Sequence, residues 1–229
     1  MSISDILGYQ GKKVVITGSA TGMGNAAAKM LLELGAEVYA LDIAEVSLDV
    51  HKAIRTDMKD QSSIDATLAE LPANIDALFN CAGVPSPPFS FEDTVLINFV
   101  GLRYLTDSLQ ARLAGGGAIA SIASTAGMGW RPNIELVNEF LALDNGFDIA
   151  AAWLKESKQR VGDPYGFSKQ CLVVYTMPNA KALAAREIRI NCIAPSPTAS
   201  PFMDKLKGEG EVSAEAIELF LPSIGRYAT

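Results

Sequence analysis

The sequence has few of the residues on which several common chemistries depend. It contains only three cysteines and one histidine among 229 residues. Cys81, Cys171 and Cys192 are odd in number and far apart, which favours small buried hydrophobic residues over a disulfide framework. With His51 alone, a Ser-His-Asp triad has no obvious base and a multi-histidine metal site cannot be built. We therefore expect any reaction to depend on other groups.

Long apolar runs and clusters of basic residues are also missing. No window approaches the ~18 uninterrupted apolar residues that a membrane span needs. The first fifteen residues lack the basic, apolar and cleavage regions of a signal peptide. The 19 Lys+Arg are outnumbered by 26 Asp+Glu, and no Lys/Arg cluster offers the footprint of a nucleic-acid binder. We expect a soluble, cytoplasmic protein with neither a membrane nor a nucleic acid as its partner.

The residues that are present predict one large α/β domain spanning residues 1–229. Hydrophobic residues make up 49% of the chain, enough to bury a sizeable core. A strand at Val14–Ile16, a glycine turn, a helix over residues 25–34 and a strand at Glu37–Asp42 form a βαβ unit with parallel strands. Because the strands are uniformly apolar, helices should cover both faces of the sheet. The sequence thus predicts a doubly wound parallel sheet of the Rossmann type.

The alternation of strands and helices continues along the chain and is interrupted once. Further strands are predicted at residues 54–57, 75–80, 118–122 and 188–193, and further helices at 61–71, 93–113 and 164–187. Pro178 should kink or break the last helix. Residues 129–162 are predicted to be an inserted helical hairpin. Its apolar residues either cover the domain's own surface or form a subunit contact or a substrate wall.

A glycine-rich turn joins the first strand to the first helix. In Thr17–Gly24, TGSATGMG, the glycines let the backbone approach a pyrophosphate, whose charge the helix N-terminus can meet. Asp42, 24 residues beyond Gly18, ends the second strand. Its carboxylate can accept hydrogen bonds from an adenosine ribose and would repel a 2′-phosphate, which favours NAD(H) over NADP. The alternatives are a purely structural glycine turn and a surface aspartate.

A tyrosine and a lysine lie four residues apart on the helix after the insertion. At this spacing Tyr165 and Lys169 share one helix face. The pKa of an unperturbed tyrosine is about 10. The lysine ammonium and an oxidised nicotinamide could lower it by stabilising the phenolate. Tyr165 could then exchange a proton with an alcohol or a carbonyl. Such pairs are also common on solvated helices, so the prediction depends on the glycine loop and Asp42.

Together these motifs resemble the short-chain dehydrogenase/reductase family over essentially the whole chain. Thr17–Gly24 matches the TGxxxGxG loop, Tyr165 and Lys169 match the YxxxK pair, and residues 80–83 correspond to NNAG with Cys81 replacing an asparagine. The resemblance implies four catalytic residues, Asn98, Ser124, Tyr165 and Lys169, and no metal. It implies cofactor contacts from Gly18, Thr21, Gly22, Met23, Gly24, Asp42, Asp57, Met58, Asn80, Ala82, Gly83, Tyr165, Lys169, Pro195 and Thr198.

The resemblance also implies roles for these residues. Ser124 would bind the substrate oxygen, Lys169 the nicotinamide ribose, and Asn98 a water that links Lys169 to solvent. Tyr165 lies 41 positions after Ser124, an interval longer than in most members of the family. This long interval resembles a subgroup that contains bacterial 3α-hydroxysteroid dehydrogenase/carbonyl reductase and coniferyl-alcohol dehydrogenase. We accordingly expect a hydrophobic alcohol or carbonyl substrate and a homodimer or homotetramer. Candidates for an apolar substrate wall are Val84, Met128, Trp130, Trp153, Phe202 and Met203.

Some residues depart from the family pattern. Ser196 stands where the family usually has glycine after Ala-Pro. Residues 195–222, which include this position, are expected to form a flap over the substrate. The 229 residues stop short of the family's last strand: either the given sequence ends before the chain does, or the chain is truncated and a sheet edge is exposed. These departures keep open an alternative function, a catalytically weak dinucleotide-binding sensor on the same fold.

Overall fold

A single parallel sheet organises this computed structural model, which describes residues 6–208 of the chain. The described residues form six strands, β1 (Lys13–Thr17), β2 (Glu37–Asp42), β3 (Lys52–Arg55), β4 (Ile75–Asn80), β5 (Leu113–Ile122) and β6 (Arg189–Ile193). Their order in the sheet is β3-β2-β1-β4-β5-β6, and all neighbours are parallel. The predicted doubly wound fold is confirmed.

Helices cover both faces of the sheet. They are α1 (Gly22–Glu33), α2 (Gln61–Glu70), α3 (Phe91–Val95), α4 (Gly101–Leu109), α5 (Ile134–Leu141), α6 (Phe147–Val161), α7 (Pro164–Ala184) and α8 (Pro201–Gly208). Single-turn segments lie at Leu96–Val100 (π), Gln110–Arg112 and Thr125–Trp130 (both 3-10). Within residues 6–208, no helix combines the length and apolarity that crossing a membrane requires.

Burial on both faces explains why the strands are uniformly apolar. Val14 and Ile16 of β1 pack in one cluster with Ala28 of α1, whereas Val15 packs in the opposite cluster with Phe99. All three β1 side chains are fully buried. Successive strand residues point to opposite faces, and a core covers each face of β1. A polar side chain at any of these three positions would therefore be buried away from water.

The strand order reverses between β1 and β4, and this reversal opens a crevice at the carboxyl ends of the strands. Thr17 at the end of β1 ties the two strands together there, because its Oγ1 accepts the backbone N–H groups of Cys81 (3.1 Å) and Ala82 (3.0 Å). Ligands of open α/β sheets bind in such a crevice. The fold therefore places the loops after β1 and β4 on either side of a binding site.

Two predicted elements differ from the structure. The helix expected over residues 93–113 is interrupted by the π turn at Leu96–Val100, and the glycines of 115–117 lie within β5, which starts at Leu113. Of the kink or break expected at Pro178, the break is not found, since α7 continues to Ala184. Packing explains the continuity: Tyr175 before the proline and Leu183 after it are both buried, which offsets the ~3 kcal/mol that an internal proline costs a helix.

The insertion packs on its own domain. Phe140 of α5 and Leu154 of α6 are fully buried in the main core. Trp153 of α6 stacks on Phe167 of α7, with ring centroids 5.9 Å apart and planes 15° from parallel. Of the two alternatives for these apolar side chains, the structure favours cover of the domain's own surface.

The predictions about the end of the chain fall partly outside the described residues. β6 lies at one end of the strand order formed by residues 6–208. Residues 195–208, the first part of the expected flap, run beside the crevice and include α8. The rest of the flap, residues 209–222, and the expected lack of a last strand lie outside the described residues, so both stay predictions.

Candidate active site

A cleft of about 730 Å³ opens at the carboxyl ends of the strands. This volume lies within the range of about 300–1,000 Å³ typical of small-molecule sites. The wall includes Ser124 and nearly all the residues predicted to bind a cofactor: Gly18, Thr21, Gly22, Met23, Gly24, Asp42, Asp57, Met58, Ala82, Gly83, Tyr165, Lys169, Pro195 and Thr198. The structure therefore brings the predicted cofactor and catalytic residues to one site, except Asn80 and Asn98.

The glycine loop leaves room and unused N–H groups for an anion. Gly18 has φ +67°, and a Cβ there would come within 2.7 Å of the Ala82 backbone. A Cβ on Gly24 would overlap the carbonyl of Gly18. The N-cap residue Thr21 makes no side-chain hydrogen bond to α1, and the first turn of α1 contains no acidic residue. The free N–H groups and the helix dipole suit a pyrophosphate, so these residues fit a dinucleotide.

Asp42 anchors this loop as well as lining the cleft. Its Oδ2 accepts the backbone N–H of Ala20 at 2.9 Å, and its Oδ1 accepts that of Ala44 at 2.9 Å. The carboxylate thus joins the end of β2 to the glycine loop. Each oxygen still has a lone pair for a ribose hydroxyl.

The residues after β3 form the far end of the cleft. Asp57 and Met58 line it, and the Asp57 carboxylate accepts the backbone N–H of Lys59 at 3.0 Å. Lys59, for which no role was predicted, also lines the cleft and pairs with Asp93 of α3 at 3.2 Å. The position of Lys59 directly after Asp57 and Met58 could have indicated its place in the wall.

Ser124, Tyr165 and Lys169 meet at the opposite end. Lys169 is only 4% exposed, and its Nζ donates to the carbonyl of Ile122 at 2.8 Å. The same Nζ lies 5.7 Å from the centroid of the Tyr165 ring. Ser124, the N-cap of the 3-10 turn after β5, lines the cleft together with Tyr165. A tyrosine, a serine and a buried ammonium can together bind and protonate an oxygen.

Burial dominates the acid–base properties of this cluster. It raises the pKa of Tyr165, against a smaller lowering by the hydrogen bond from Ser124, and the charge of Asp163 raises it further. Burial also lowers the pKa of Lys169 to about 8. The expectation that Lys169 and an oxidised nicotinamide together lower the pKa of Tyr165 stays a prediction.

Asn98 supports the loop after β4 rather than facing the cleft. Its Oδ1 accepts the backbone N–H of Val84 at 2.7 Å, and its Nδ2 donates to the Val84 carbonyl at 2.9 Å. Nδ2 also donates to Ser168 Oγ at 3.4 Å. Asn98 therefore links α7, the π turn and the Val84 loop, and its expected link to a water stays a prediction.

Asn80, which was predicted to contact the cofactor, has a side chain that lies outside the cleft wall. It is 1% exposed, and its Nδ2 donates to Thr106 Oγ1 at 3.0 Å and to Ser121 Oγ at 3.1 Å. The reason is strand alternation: Asn80, still within β4, points into the core, while the residues after it leave the strand and reach the cleft.

Cys81 was expected in the core but is half-buried in the cleft wall. Burial raises the pKa of its thiol to about 12, against the nearby charge of Lys169. Other wall residues without a predicted role are Thr56, Lys59, Pro85, Ser86, Phe89, Ile97, Asp163 and Ser200. Asp163 could have been found, because an aspartate directly before a proline is a common helix start.

The cleft is apolar around Tyr165. The ring of Phe202 lies 5.7 Å from that of Tyr165, and Val84 and the buried Met203 also line the wall. Three of the six predicted apolar wall residues lie elsewhere: Met128 is 66% exposed, and Trp130 and Trp153 pack against the main core. The tryptophans were misplaced because aromatic neighbours in the core, Phe140 and Phe167, bury Trp153.

A tyrosine that lies with a serine and a buried lysine at one end of a dinucleotide-sized cleft is an arrangement suited to an oxidoreductase of alcohols and carbonyls. The sequence profile of the short chain dehydrogenases matches residues 12–135, more than half of the chain. The chain therefore belongs to the short-chain dehydrogenase/reductase family, oxidoreductases that use a nicotinamide dinucleotide and small-molecule substrates. The predicted family and enzyme class are confirmed.

Individual relatives agree with this assignment. Coniferyl-alcohol dehydrogenase of Pseudomonas sp. strain HR199 is 32% identical over 93% of this chain and 84% of its own. The 3-alpha-hydroxysteroid dehydrogenase/carbonyl reductase of Comamonas testosteroni is 29% identical over 94% of this chain and 83% of its own. The crystal structure of 3-alpha-hydroxysteroid dehydrogenase from Pseudomonas sp. B-0831 with NADH has a TM-score of 0.77 at 25% identity, covering 94% of this chain and 84% of that one.

Proposed function

We propose that the protein is an NAD(H)-dependent oxidoreductase that interconverts a hydrophobic alcohol and its carbonyl, with Tyr165 as the acid/base. The observation that carries the proposal is that Tyr165 lines the cleft together with Ser124 and Lys169 and is flanked by the Phe202 ring. The relatives named above act on a hydroxysteroid and on an aromatic allylic alcohol. Both ring systems suit an apolar wall, and both remain candidate substrates.

The preference for NAD(H) rests on Asp42. Its carboxylate lines the cleft where the ribose of a dinucleotide would lie if the pyrophosphate bound the start of α1. Among the described residues, the lysines of the cleft wall are Lys59 and Lys169. Both already have partners, since Lys59 pairs with Asp93 and Lys169 donates to the Ile122 carbonyl. A 2′-phosphate would therefore meet a carboxylate without a compensating cation.

The roles of the residues follow from their positions. When bound, the nicotinamide supplies or accepts the hydride. Ser124 holds the substrate oxygen at Tyr165, whose hydroxyl donates a proton to a carbonyl or, as the phenolate, takes one from an alcohol. Lys169 would hold the nicotinamide ribose from its buried position. Phe202 and Met203 exclude water from the reacting atoms.

The test is turnover of hydroxysteroids and cinnamyl alcohols with NAD⁺ and NADP⁺. Tyr165→Phe should lower kcat by about 10²- to 10⁴-fold, the usual contribution of a positioned acid/base. NADH affinity, measured by fluorescence, should change little. Tyr104→Phe is a matched control because Tyr104 lies outside the cleft wall and its hydroxyl donates to Asp65.

Two outcomes would contradict the proposal. Full activity of Tyr165→Phe would remove the proton-transfer role. Tight NADH binding without turnover across the substrate panel would favour the sensor alternative.

The expected homodimer or homotetramer is a separate prediction, which light scattering checks.

A further inference from the structure

The substrate end of the cleft contains a carboxylate that the proposed reaction does not use. Asp163, two residues before Tyr165, lines the cleft and is exposed. Its Oδ1 accepts the backbone N–H of Tyr165 at 3.0 Å, and its Oδ2 accepts that of Gly166 at 2.9 Å. It is the N-cap of α7, the helix that carries Tyr165 and Lys169. The carboxylate is therefore held in one position relative to Tyr165.

The local sequence leaves space for this carboxylate. A Cβ at residue 166 would collide with Asp163 Oδ2, so the glycine there permits the double N–H contact. Pro164 follows directly, and its restricted φ favours the first turn of a helix. Pro164 thus favours the helix start, and Gly166 leaves room for the Asp163 carboxylate at that start.

No cation balances this charge within the part of the chain that the structure describes. The ionisable groups in the cleft wall are Asp42, Asp57, Lys59, Cys81, Asp163, Tyr165 and Lys169. Lys59 pairs with Asp93, and the Lys169 ammonium donates to the Ile122 carbonyl. None of the salt bridges among residues 6–208 includes Asp163. Ser124 and Phe202, which face Tyr165 from the 3-10 turn and α8, are uncharged.

We propose that Asp163 is a positioning and specificity residue: its fixed negative charge opposes ionisation of Tyr165 and excludes anionic substrates from the cleft. The inference rests on the proposed function. Asp163 and Tyr165 line the same cleft, and a negative charge there favours the protonated phenol, which is the form that donates a proton to a carbonyl. The same charge repels a carboxylate on a substrate bound at Tyr165. The raised pKa of Tyr165, to which Asp163 contributes, agrees with this role.

The decisive variant is Asp163→Asn, which removes the charge but keeps a good N-cap. For alcohol oxidation, the rise of kcat/KM with pH should move downward by on the order of half a pH unit. The kcat/KM of a carboxylate-bearing cinnamyl alcohol relative to its neutral parent should increase about threefold or more. Because Asp163 is exposed, both effects should shrink at high ionic strength.

Asp148→Asn is the matched control. Asp148 is an exposed aspartate in the first turn of α6, outside the cleft wall, and its loss changes the net charge equally. It should leave both readouts unchanged. If Asp163→Asn does not fold, Asp163→Ser serves as a second uncharged N-cap. An unshifted pH profile, or an equal shift in the Asp148 control, would overturn the inference.

Ionisation of Tyr165 can also be followed without turnover. The ultraviolet absorbance of phenolate is measured as a function of pH in the original protein and in the Tyr165→Phe variant. The difference between the two titration curves reports the ionisation of Tyr165. Repeating this pair of titrations with Asp163→Asn should give a lower midpoint, and equal midpoints would contradict the inference. An inactive protein with a lowered midpoint would instead refute the proposed function and retain the role of Asp163.

Discussion

Replacing Gly18 by alanine should destabilise the domain and weaken dinucleotide binding for separable reasons. Gly18 has φ +67°, which costs an alanine about 1–2 kcal/mol. The added Cβ would lie 2.7 Å from both N and Cα of Ala82 and 2.9 Å from the carbonyl carbon of Cys81. These are backbone atoms held by Thr17, so relieving the overlap should cost a further ~1–3 kcal/mol.

Gly11→Ala separates the two contributions. Gly11 has φ +68°, and a Cβ there would meet no atom within 4 Å. It lies before β1, at the opposite end of that strand from the cleft. Gly11→Ala should therefore lower the Tm by only the cost of the backbone conformation, about 2–8 °C for a domain of this size. Gly18→Ala should lower it by at least ~2 °C more.

Dinucleotide affinity supplies the second readout. Separating Gly18 from Ala82 moves two parts of the cleft wall apart, so the Kd for NADH should rise about tenfold or more, equivalent to ~1.4 kcal/mol. Gly11→Ala should leave this Kd unchanged. Thermal unfolding and NADH fluorescence measure the two effects. Equal Tm values and equal affinities for the two variants would refute the reasoning.

Two further predictions concern the charged groups of the cleft. Asp42→Asn should reduce the NAD/NADP ratio of kcat/KM values. Asp42→Ala should reduce this ratio and also lower the Tm, because it loses both backbone N–H contacts. An unchanged ratio in both variants would contradict the proposed preference. Lys169 has its pKa lowered from 10.5 to about 8, so the unfolded chain binds more protons between these values. Its contribution should make the free energy of unfolding rise across that pH window, and denaturant titrations of Lys169→Met should show a smaller rise; parallel pH curves would be the contrary result.

The order of strands and helices was predictable because it depends on local patterns and general rules of chain connection. Uniformly apolar runs alternating with helices allow few arrangements other than a parallel sheet with both faces covered. The glycine loop, Ser124 and the Tyr165–Lys169 pair lie at ends of these elements, and the carboxyl ends of parallel strands meet at one edge. Their convergence on one cleft therefore followed from the order of the elements.

The direction of individual side chains was not predictable in this way. Asn80 and Cys81 are neighbours at the end of β4, yet one is buried in the core and the other lines the cleft. Trp153 could have faced a substrate, but its ring stacks on Phe167. Such choices depend on where a strand ends and which distant side chain fills the adjacent space, and neither is a property of a local pattern.

The local patterns of the sequence were enough to predict a parallel α/β fold, and they indicated tyrosine and lysine, rather than histidine, as candidate catalytic groups. The charge distribution of the cleft, in contrast, depends on the tertiary structure. In the folded protein Lys169 is buried and donates to the Ile122 carbonyl, Tyr165 is half-buried in the cleft wall, and Asp163 is held by the backbone N–H of Tyr165. The physical reason is that a motif specifies which groups are present, whereas burial and through-space charge, which set their protonation, depend on residues far apart in the chain.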